Sequence, residues 1–578
     1  MAKKDLPASE KVALMELDYL SVQRTWFNYG PGTWYVSFSM LYPNIGVDFL
    51  NGITGQPITA IGSMLIDGIA ATGVASAADV MSTPNSWYFD AVPRTLYVHA
   101  TDGNPPELHV ISMGVTYGCA DSPQNLNSIY YEPRLLSIPT LTKSKDPLFF
   151  GRIACDGGSV GLKNADGLFD LLAEDGAALF GATIRFLQGF AGDAYAAYEL
   201  LGSSQVQNVG VSQEEFTVHF IDRRAFLCAK APSRVFDATT YPNIKTDNIG
   251  KAIPLAYGTI NNMQVMCIDE DAAAPASYNF KICDVADHAN GIQAIDHVYV
   301  DGALVAPTSS SLPNATFVLS SANFKPGQTV TADVRGYKDG AATFMTCATD
   351  IILDLLLTYY GMTYIAANFN TTEWAAARTL QVAAFPGGIG LVVDSAAEVW
   401  SIVEDICAST LLNLIPEDAG TYTLRMQDAA RATDQVFTEA LSPISVEYDV
   451  SQVIDTVTVG WGKNWAGDSY RHVEDTSRSA AIYGTFHVHR EGKFETLLTT
   501  AADALTFSGL MLDICGTAIS RASVEFKMEP LGRELMDYVQ VPLLRANGTV
   551  RNVVMEIQSI SKVPSSGISL EGRIMRAA

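Results

Sequence analysis

No stretch of this sequence holds the roughly 18 to 20 consecutive apolar residues that a membrane-spanning helix needs, and Met1 to Glu10 lacks the apolar core of a signal peptide. Synthesis and assembly in a cytoplasm are expected. Cysteine is sparse: the eight (Cys119, Cys155, Cys228, Cys267, Cys283, Cys347, Cys407, Cys515) are never closer than 16 residues. No C-x-x-C pair offers a zinc or iron–sulfur ligand set. Free buried thiols are expected, and Cys407 and Cys515 sit among apolar residues near the ends of expected helices.

Positive charge is also short, with 37 Lys and Arg against 62 Asp and Glu, a formal charge of −25. Such a surface repels nucleic acid and anionic membrane alike. Catalytic motifs are missing too. Asp156-Gly157-Gly158 and Pro386-Gly387-Gly388-Ile389-Gly390 lack the Lys-Ser/Thr of a phosphate loop and the strand, turn and helix order of a dinucleotide site, so they read as turns. Ser409 has no G-x-S-x-G elbow around it. Of the eight histidines only His487 and His489 stand close together. On a strand they would share a face and could share a metal, but no third ligand completes a site. No catalytic, cofactor-binding or metal residue is assigned, and no cofactor is expected. Paired carboxylates need only meet in space, which leaves a glycan-degrading enzyme as a competing reading. Most acidic residues stand in turns, as Asp166 does in Asn164-Ala165-Asp166-Gly167.

What the chain does have is bulk and strand grammar. At 578 residues, 48% apolar and 17% charged, it is a packed protein of several domains. Alternating runs rich in Val, Ile, Thr, Tyr and Phe recur between Gly, Pro, Asn and Asp. Examples are Thr33 to Phe38, Arg94 to His99, Ala182 to Leu187, Glu215 to Ile221, Val298 to Asp301, Val453 to Gly460 and Thr549 to Ile557, with turns at Asp102-Gly103, Asp301-Gly302 and Asn547-Gly548. The segments Ser86 to Asp90 and Thr95 to His99 form an aromatic hairpin, filling a core or presenting a sugar- or protein-binding surface around Trp87. That surface would suit a receptor-binding adhesin, the third reading.

Three helices interrupt the strands. The first runs from Ser395 to about Leu412, with Ser395 and Glu398 at capping-box spacing and an apolar face of Val399, Trp400, Ile402, Val403 and Ile406. The second covers Asp350 to Tyr360 and stops at a left-handed Gly361. The third runs from Ala501 to Cys515 and stops likewise at Gly516. Polar stretches at Asp121 to Ser128, Asp269 to Ala276 and Thr308 to Asn314 read as linkers. No fixed-period repeat is present.

At Tyr131-Glu132-Pro133-Arg134-Leu135-Leu136-Ser137-Ile138-Pro139 the sequence resembles the tail hub proteins of tailed bacteriophages, the pieces that close the tail tube at the baseplate or tip. The resemblance continues through Asp146-Pro147-Leu148-Phe149-Phe150-Gly151-Arg152-Ile153, Val160-Gly161-Leu162-Lys163-Asn164-Ala165-Asp166-Gly167-Leu168-Phe169-Asp170 and Gly250-Lys251-Ala252-Ile253-Pro254-Leu255-Ala256-Tyr257-Gly258. Beyond these it is similar in order, with Val298 to Gly302, the helices near Asp350 and Ser395, and Asp537-Tyr538-Val539-Gln540-Val541. It spans roughly residues 130 to 578, and the first 120 match poorly.

The resemblance implies a mainly β, multidomain fold with a few helices and two tube-like β-barrel domains. The expected division is an N-terminal β-rich domain over 1–125, a tube-like barrel over 126–265, a small β domain over 266–345, an α/β domain with two helices over 346–440 and a second tube-like barrel over 441–578, with segments that can interdigitate. It implies a homotrimer in the virion, at the tail tip or baseplate, forming a pseudo-sixfold ring. Its partners would be the tail tube or distal tail protein, tip, fibre or central spike proteins, and the tape measure protein. DNA would pass through the lumen at ejection without specific binding.

Overall fold

The computed structural model describes residues 11–22, 27–30, 33–37, 63–66, 69–70, 72–83, 86–90 and 95–99, and from 111 onward all but 127–128, 147–150, 156, 168, 171–178, 180, 223, 225–228, 271–275, 429, 439, 442–443, 528–529, 531, 545–548, 564–566 and 578. The fold is mainly β and multidomain. Cys228, the turns at Asp102-Gly103 and Asn547-Gly548, and most of the Asp269 to Ala276 stretch lie outside the described residues.

The first large sheet orders its strands Leu135–Ser137, Gly158–Lys163, Glu215–Ile221, Glu199–Val211, Thr183–Phe190, Lys11–Val22 and Ile111–Ala120, with Ser63–Ile66 and Ile69–Ala70 beyond. A bridge between Cys119 and Glu132 brings it back almost to its first strand, giving a nearly closed barrel. The alternation in Glu215–Ile221 explains the closure: Phe216, Val218 and Phe220 point inward and are buried, while Glu215 and His219 face out. The interior is filled by aromatic rings, Phe169 stacked on Phe216 at 4.7 Å and Phe186 tilted against Phe220 at 5.2 Å. Lys11–Val22 pairs on both sides, with Thr183–Phe190 and Ile111–Ala120, so hydrogen bonds of this sheet cross residue 125. The resemblance motifs hold the barrel's seam. The Tyr131 hydroxyl donates to buried Glu16 at 2.5 Å, and Arg134 forks onto Asp166 at 2.9 and 2.5 Å.

The aromatic hairpin forms as expected, Ser86–Asp90 antiparallel to Thr95–His99. Trp87 is half-buried against the barrel's core. The middle of the chain builds another large sheet, of eight strands, around Leu255–Gln264, Ile292–Val300, Val330–Tyr337 and Thr456–Asn464. Asp301 and Gly302 both take positive φ (49° and 81°), the paired turn expected there. Thr308 to Asn314, expected as a linker, contains strand Ser309–Ser311, because its serines pair with Thr316–Val318 in a four-stranded sheet.

Among the described helices, Ala348–Tyr360 ends on Gly361 at φ 61°, as expected. Val399–Thr410 buries Val399, Ile402, Val403 and Ile406. The capping box does not form: Glu398 is the residue before the first turn, makes no side-chain cap, and lies in a two-residue strand that pairs Ala397–Glu398 with Lys230–Ala231. Ala501–Cys515 is capped by the Thr500 side chain, but Gly516 takes φ −76°, not the left-handed stop expected. Helices Ala77–Ser82, Thr371–Ala384 and Ser479–Phe486 escaped the sequence reading.

The C-terminal sheet runs Ile153–Cys155, Leu141–Lys145, Val550–Val563, Gly567–Ala577, Ile519–Phe526 and Ser445–Asp449, with Gln435–Val436 and Tyr538–Leu544 alongside. Strand Leu141–Lys145 leaves the barrel's stretch of chain to pair with Ser559 to Lys562. Barrel and C-terminal sheet share one hydrophobic core, which holds Phe186, Val206 and Phe220 of the one and Val524, Met555 and Leu570 of the other.

Candidate functional site

The chain's chemistry concentrates where the helical part meets that shared core. Hairpin Leu412–Pro416 and Tyr422–Met426 is buried at every position. Its alternate residues Leu412, Leu414 and Leu424 join the core of the helical part, whereas Ile415 joins the core of the barrel and C-terminal sheet. The hairpin is thus a wall between two cores, and its second face carries Asn413, Thr423 and Arg425 as well.

Burying polar residues costs free energy unless each finds a partner. The opposing segments supply partners for Arg425 and the Asn413 side-chain carbonyl oxygen, whereas the Thr423 hydroxyl and Asn413 Nδ2 make no hydrogen bond among the described residues. Arg425 donates to Asp537 and to the Leu535 carbonyl, both at 2.7 Å. The Lys143 ammonium reaches Asp418 at 2.7 Å, Glu534 at 3.1 Å and the Pro416 carbonyl at 2.8 Å. Lys562 closes on the other oxygen of Asp418, and Lys145 meets Glu556 at 2.5 Å. Glu373, on helix Thr371–Ala384, takes both arms of Arg431 at 2.9 Å.

Burial pushes the Asp418 carboxyl up, but Lys143 and Lys562 outweigh it and hold the group below the usual range. Burial likewise opposes Lys145 at Glu556, and again the ammonium prevails. Glu534 goes the other way: burial first, then the neighbouring Asp418 charge, push it up to about 7.

Two shifted carboxylates beside a recess are what a glycosidase would need. The cavity here, lined by Lys143, Cys155, Ser203, Asp222 and Asp418 among others, measures about 40 Å³. That holds a few waters, since one needs about 10–15 Å³, whereas ligand pockets run to about 300–1,000 Å³. Both carboxylates are also engaged by lysines. The arrangement fits a structural joint.

The other sequence candidates separate. His487 and His489 do not lie on a strand: His487 ends helix Ser479–Phe486 at φ 54°, its backbone turned by the left-handed stop. His489 bonds Asp455 at 2.9 Å and stacks on Tyr483 at 4.1 Å. Among the described residues no three His, Cys, Asp or Glu side chains converge as a metal would require. Gly388 takes φ 68° in the turn between helix Thr371–Ala384 and strand Gly390–Val393. Ser409 sits in a helix, donating to the Asp405 carbonyl at 2.8 Å. Of the seven described cysteines all are thiols, six buried and Cys155 half-buried. Sequence reasoning missed the joint because its partners lie far apart, Lys143 and Glu534 being 391 residues from each other.

No family model matches the chain, and no curated protein matches it. Among solved structures it is similar to a tail protein from Neisseria meningitidis MC58, at 10% identity and a TM-score of 0.36 over 78% of this chain and 94% of the other. It is also similar to a 43 kDa tail protein of prophage MuSo2 from Shewanella oneidensis, at 10% identity and a TM-score of 0.34 over 78% and 96%. A component of a native gene transfer agent virion aligns at 13% identity and a TM-score of 0.35 over 60% and 90%. At these scores the likeness carries no argument by itself.

Proposed function

We propose that this chain is a structural hub of a phage tail tip or baseplate, resident in the virion and not an enzyme. The observation that carries the reading is the locking of a nearly closed barrel to the C-terminal sheet, through one shared core and the strand Leu141–Lys145. A ring that closes a tail tube needs such a stiff block, because its interfaces must hold their register while partners dock on both sides. The motifs at Tyr131 to Pro139, Val160 to Asp170 and Gly250 to Gly258 support the same reading, as Tyr131, Arg134 and Asp166 sit at the barrel's seam.

In this proposal three copies form a pseudo-sixfold ring, and the chain divides into five parts whose segments interleave, Lys11–Val22 and Ile111–Ala120 of the first lying in the barrel's sheet. The ring meets the tail tube or distal tail protein on one side and tip, fibre or spike proteins on the other, with the tape measure protein and DNA in the lumen. Sedimentation over a concentration series, followed by imaging of the purified oligomer, tests it. A ring of three is expected; monomers throughout would contradict it.

A further inference from the structure

The hairpin between the two cores carries polar groups that its neighbours leave unsatisfied. Asn413 and Thr423 are fully buried and Arg425 nearly so. Among the described residues, Asn413 Nδ2, the Thr423 hydroxyl and Arg425 Nε have no hydrogen-bond partner. The three share one face of the ladder: Asn413 stands directly opposite Arg425, and Thr423, two residues before Arg425, is diagonal to Asn413. Directly opposed Cβ atoms stand about 4.5–5.5 Å apart and diagonal ones about 7–8 Å or less, within reach of long side chains. The Asn413 amide has one sensible orientation, because its Oδ1 accepts the Gly151 N–H at 3.0 Å and a flip would set donor against donor. Arg425 is fixed as well, with Nη1 on Asp537 and on the Leu535 carbonyl, both at 2.7 Å. That leaves Nε 3.5 Å from Glu373 Oε2. A polar gap of this size without a hydrogen bond is the span that a bridging water closes.

We infer that this face of the hairpin binds one sealed water molecule, held by Asn413, Thr423 and Arg425. The lone pairs of a water oxygen match the two groups that can only donate, Asn413 Nδ2 and Arg425 Nε, and one water proton goes to the Thr423 hydroxyl oxygen. Three bonds are the usual complement of a buried water, about three on average. A halide would also accept from all three groups, but charge decides against it. Glu373, Asp434 and Asp537 already balance Arg425, Arg431 and Arg533, three charges against three. An added anion would be a buried charge without a counter-charge, far costlier than a neutral water. The role of the water is positional: by holding Nε it fixes the guanidinium whose Nη1 ties the wall hairpin to residues 535–537.

A density map of the full-length protein, at a resolution that shows ordered water, tests this directly. A solvent-sized peak within about 3.2 Å of Asn413 Nδ2, Thr423 Oγ1 and Arg425 Nε is expected; well-ordered side chains with no peak between them would overturn the inference. Thr423→Val, close to wild type in shape, reads the same point in solution. A hydroxyl bonded to water contributes stability, whereas an orphaned one costs it. The thermal midpoint of the variant should therefore fall by roughly 1–3 °C. A midpoint equal to or above that of wild type would contradict a water at Thr423. Exchanging chloride for gluconate at equal ionic strength separates water from anion. The wild-type midpoint should not move; a drop in gluconate that Thr423→Val abolishes would put a halide in the site and overturn the assignment.

Discussion

The Lys145 ammonium lies 2.5 Å from the Glu556 carboxylate, joining positions 411 residues apart inside the C-terminal sheet. Both groups are nearly sealed from solvent, and Gln427 bridges them, accepting from Lys145 at 3.1 Å. Removing one partner strands the other as a buried charge. Lys145→Met is expected to destabilise the protein by about 3–5 kcal/mol, and Lys145→Met with Glu556→Met to recover most of that loss. Urea midpoints of the two variants check this; a single variant as stable as wild type would contradict it.

Glu534 gives a pH dependence with a definite sign. Its carboxyl is raised from an ordinary value of 4.5 to about 7, so the folded protein holds that proton where the unfolded chain has released it. This contribution therefore lowers stability as pH rises through that window. Glu534→Gln cannot ionise and should show a smaller gain in thermal midpoint than wild type on going from pH 8 to pH 5.5. The depressed carboxyls Asp418, Glu556 and Glu373 act oppositely: their contribution is present above the ordinary carboxylate range and lost as pH falls through their lowered values. Acid unfolding below about pH 4 should thus survive in the variant. Parallel profiles between pH 5.5 and 8 would refute the role given to Glu534.

Gly258 takes φ 66°, and a Cβ there would fall on the Ile389 carbonyl oxygen, where the neighbouring strand Gly390–Val393 pairs with Leu255–Gln264. Gly258→Ala combines left-handed strain with a backbone clash that no rotamer relieves. A loss above about 4 kcal/mol is expected, beyond the usual range for a single substitution. Soluble yield and denaturant midpoint check it, and a variant within 1 kcal/mol of wild type, on the order of an average substitution, would count against the close packing.

At His489 the expectation is a small effect. Asp455 keeps the Ser479 hydroxyl at 2.5 Å and the Arg490 N–H at 2.7 Å when the imidazole is removed. His489→Ala should change stability by no more than about 0.5 kcal/mol. Elemental analysis should find no stoichiometric transition metal in either protein; a stoichiometric metal lost in the variant would overturn the structural reading of this pair.

Local signals were legible wherever a short stretch decides its own conformation. Gly361 stops a helix because its left-handed turn needs no more than its own missing Cβ, and Asp301-Gly302 makes its turn because Asp tolerates and Gly favours positive φ. The alternation of Glu215 to Ile221 declares which side is buried. Most failures are tertiary, though Gly516, expected as a left-handed stop, is a local one. Ser395 and Glu398 have capping-box spacing, yet Glu398 is drawn into a strand with Lys230, an interaction the local sequence does not contain. The helix Thr371–Ala384 buries only Trp374, Ala377 and Gln381 and leaves a mixed outer face, so its periodicity is faint. The joint of Lys143, Asp418, Glu534 and Lys562 draws on four separate segments, and nothing near any of them marks it.

The central claim, a ring that lets DNA pass, also fixes the sign of its wall. A duplex carries about one negative charge per 1.7 Å of axis, and a basic lining would hold it through counterion release. An acidic wall would let it slide, at an assembly cost that screening over about 8 Å at physiological salt keeps modest. The most direct measurement is a high-resolution image of the assembled oligomer from purified protein or tail particles. Three copies in a pseudo-sixfold ring, with carboxylates outnumbering Lys and Arg along the channel, is the result expected. A monomer, or a channel lined mainly by Lys and Arg with the acidic residues on the outer surface, would contradict it.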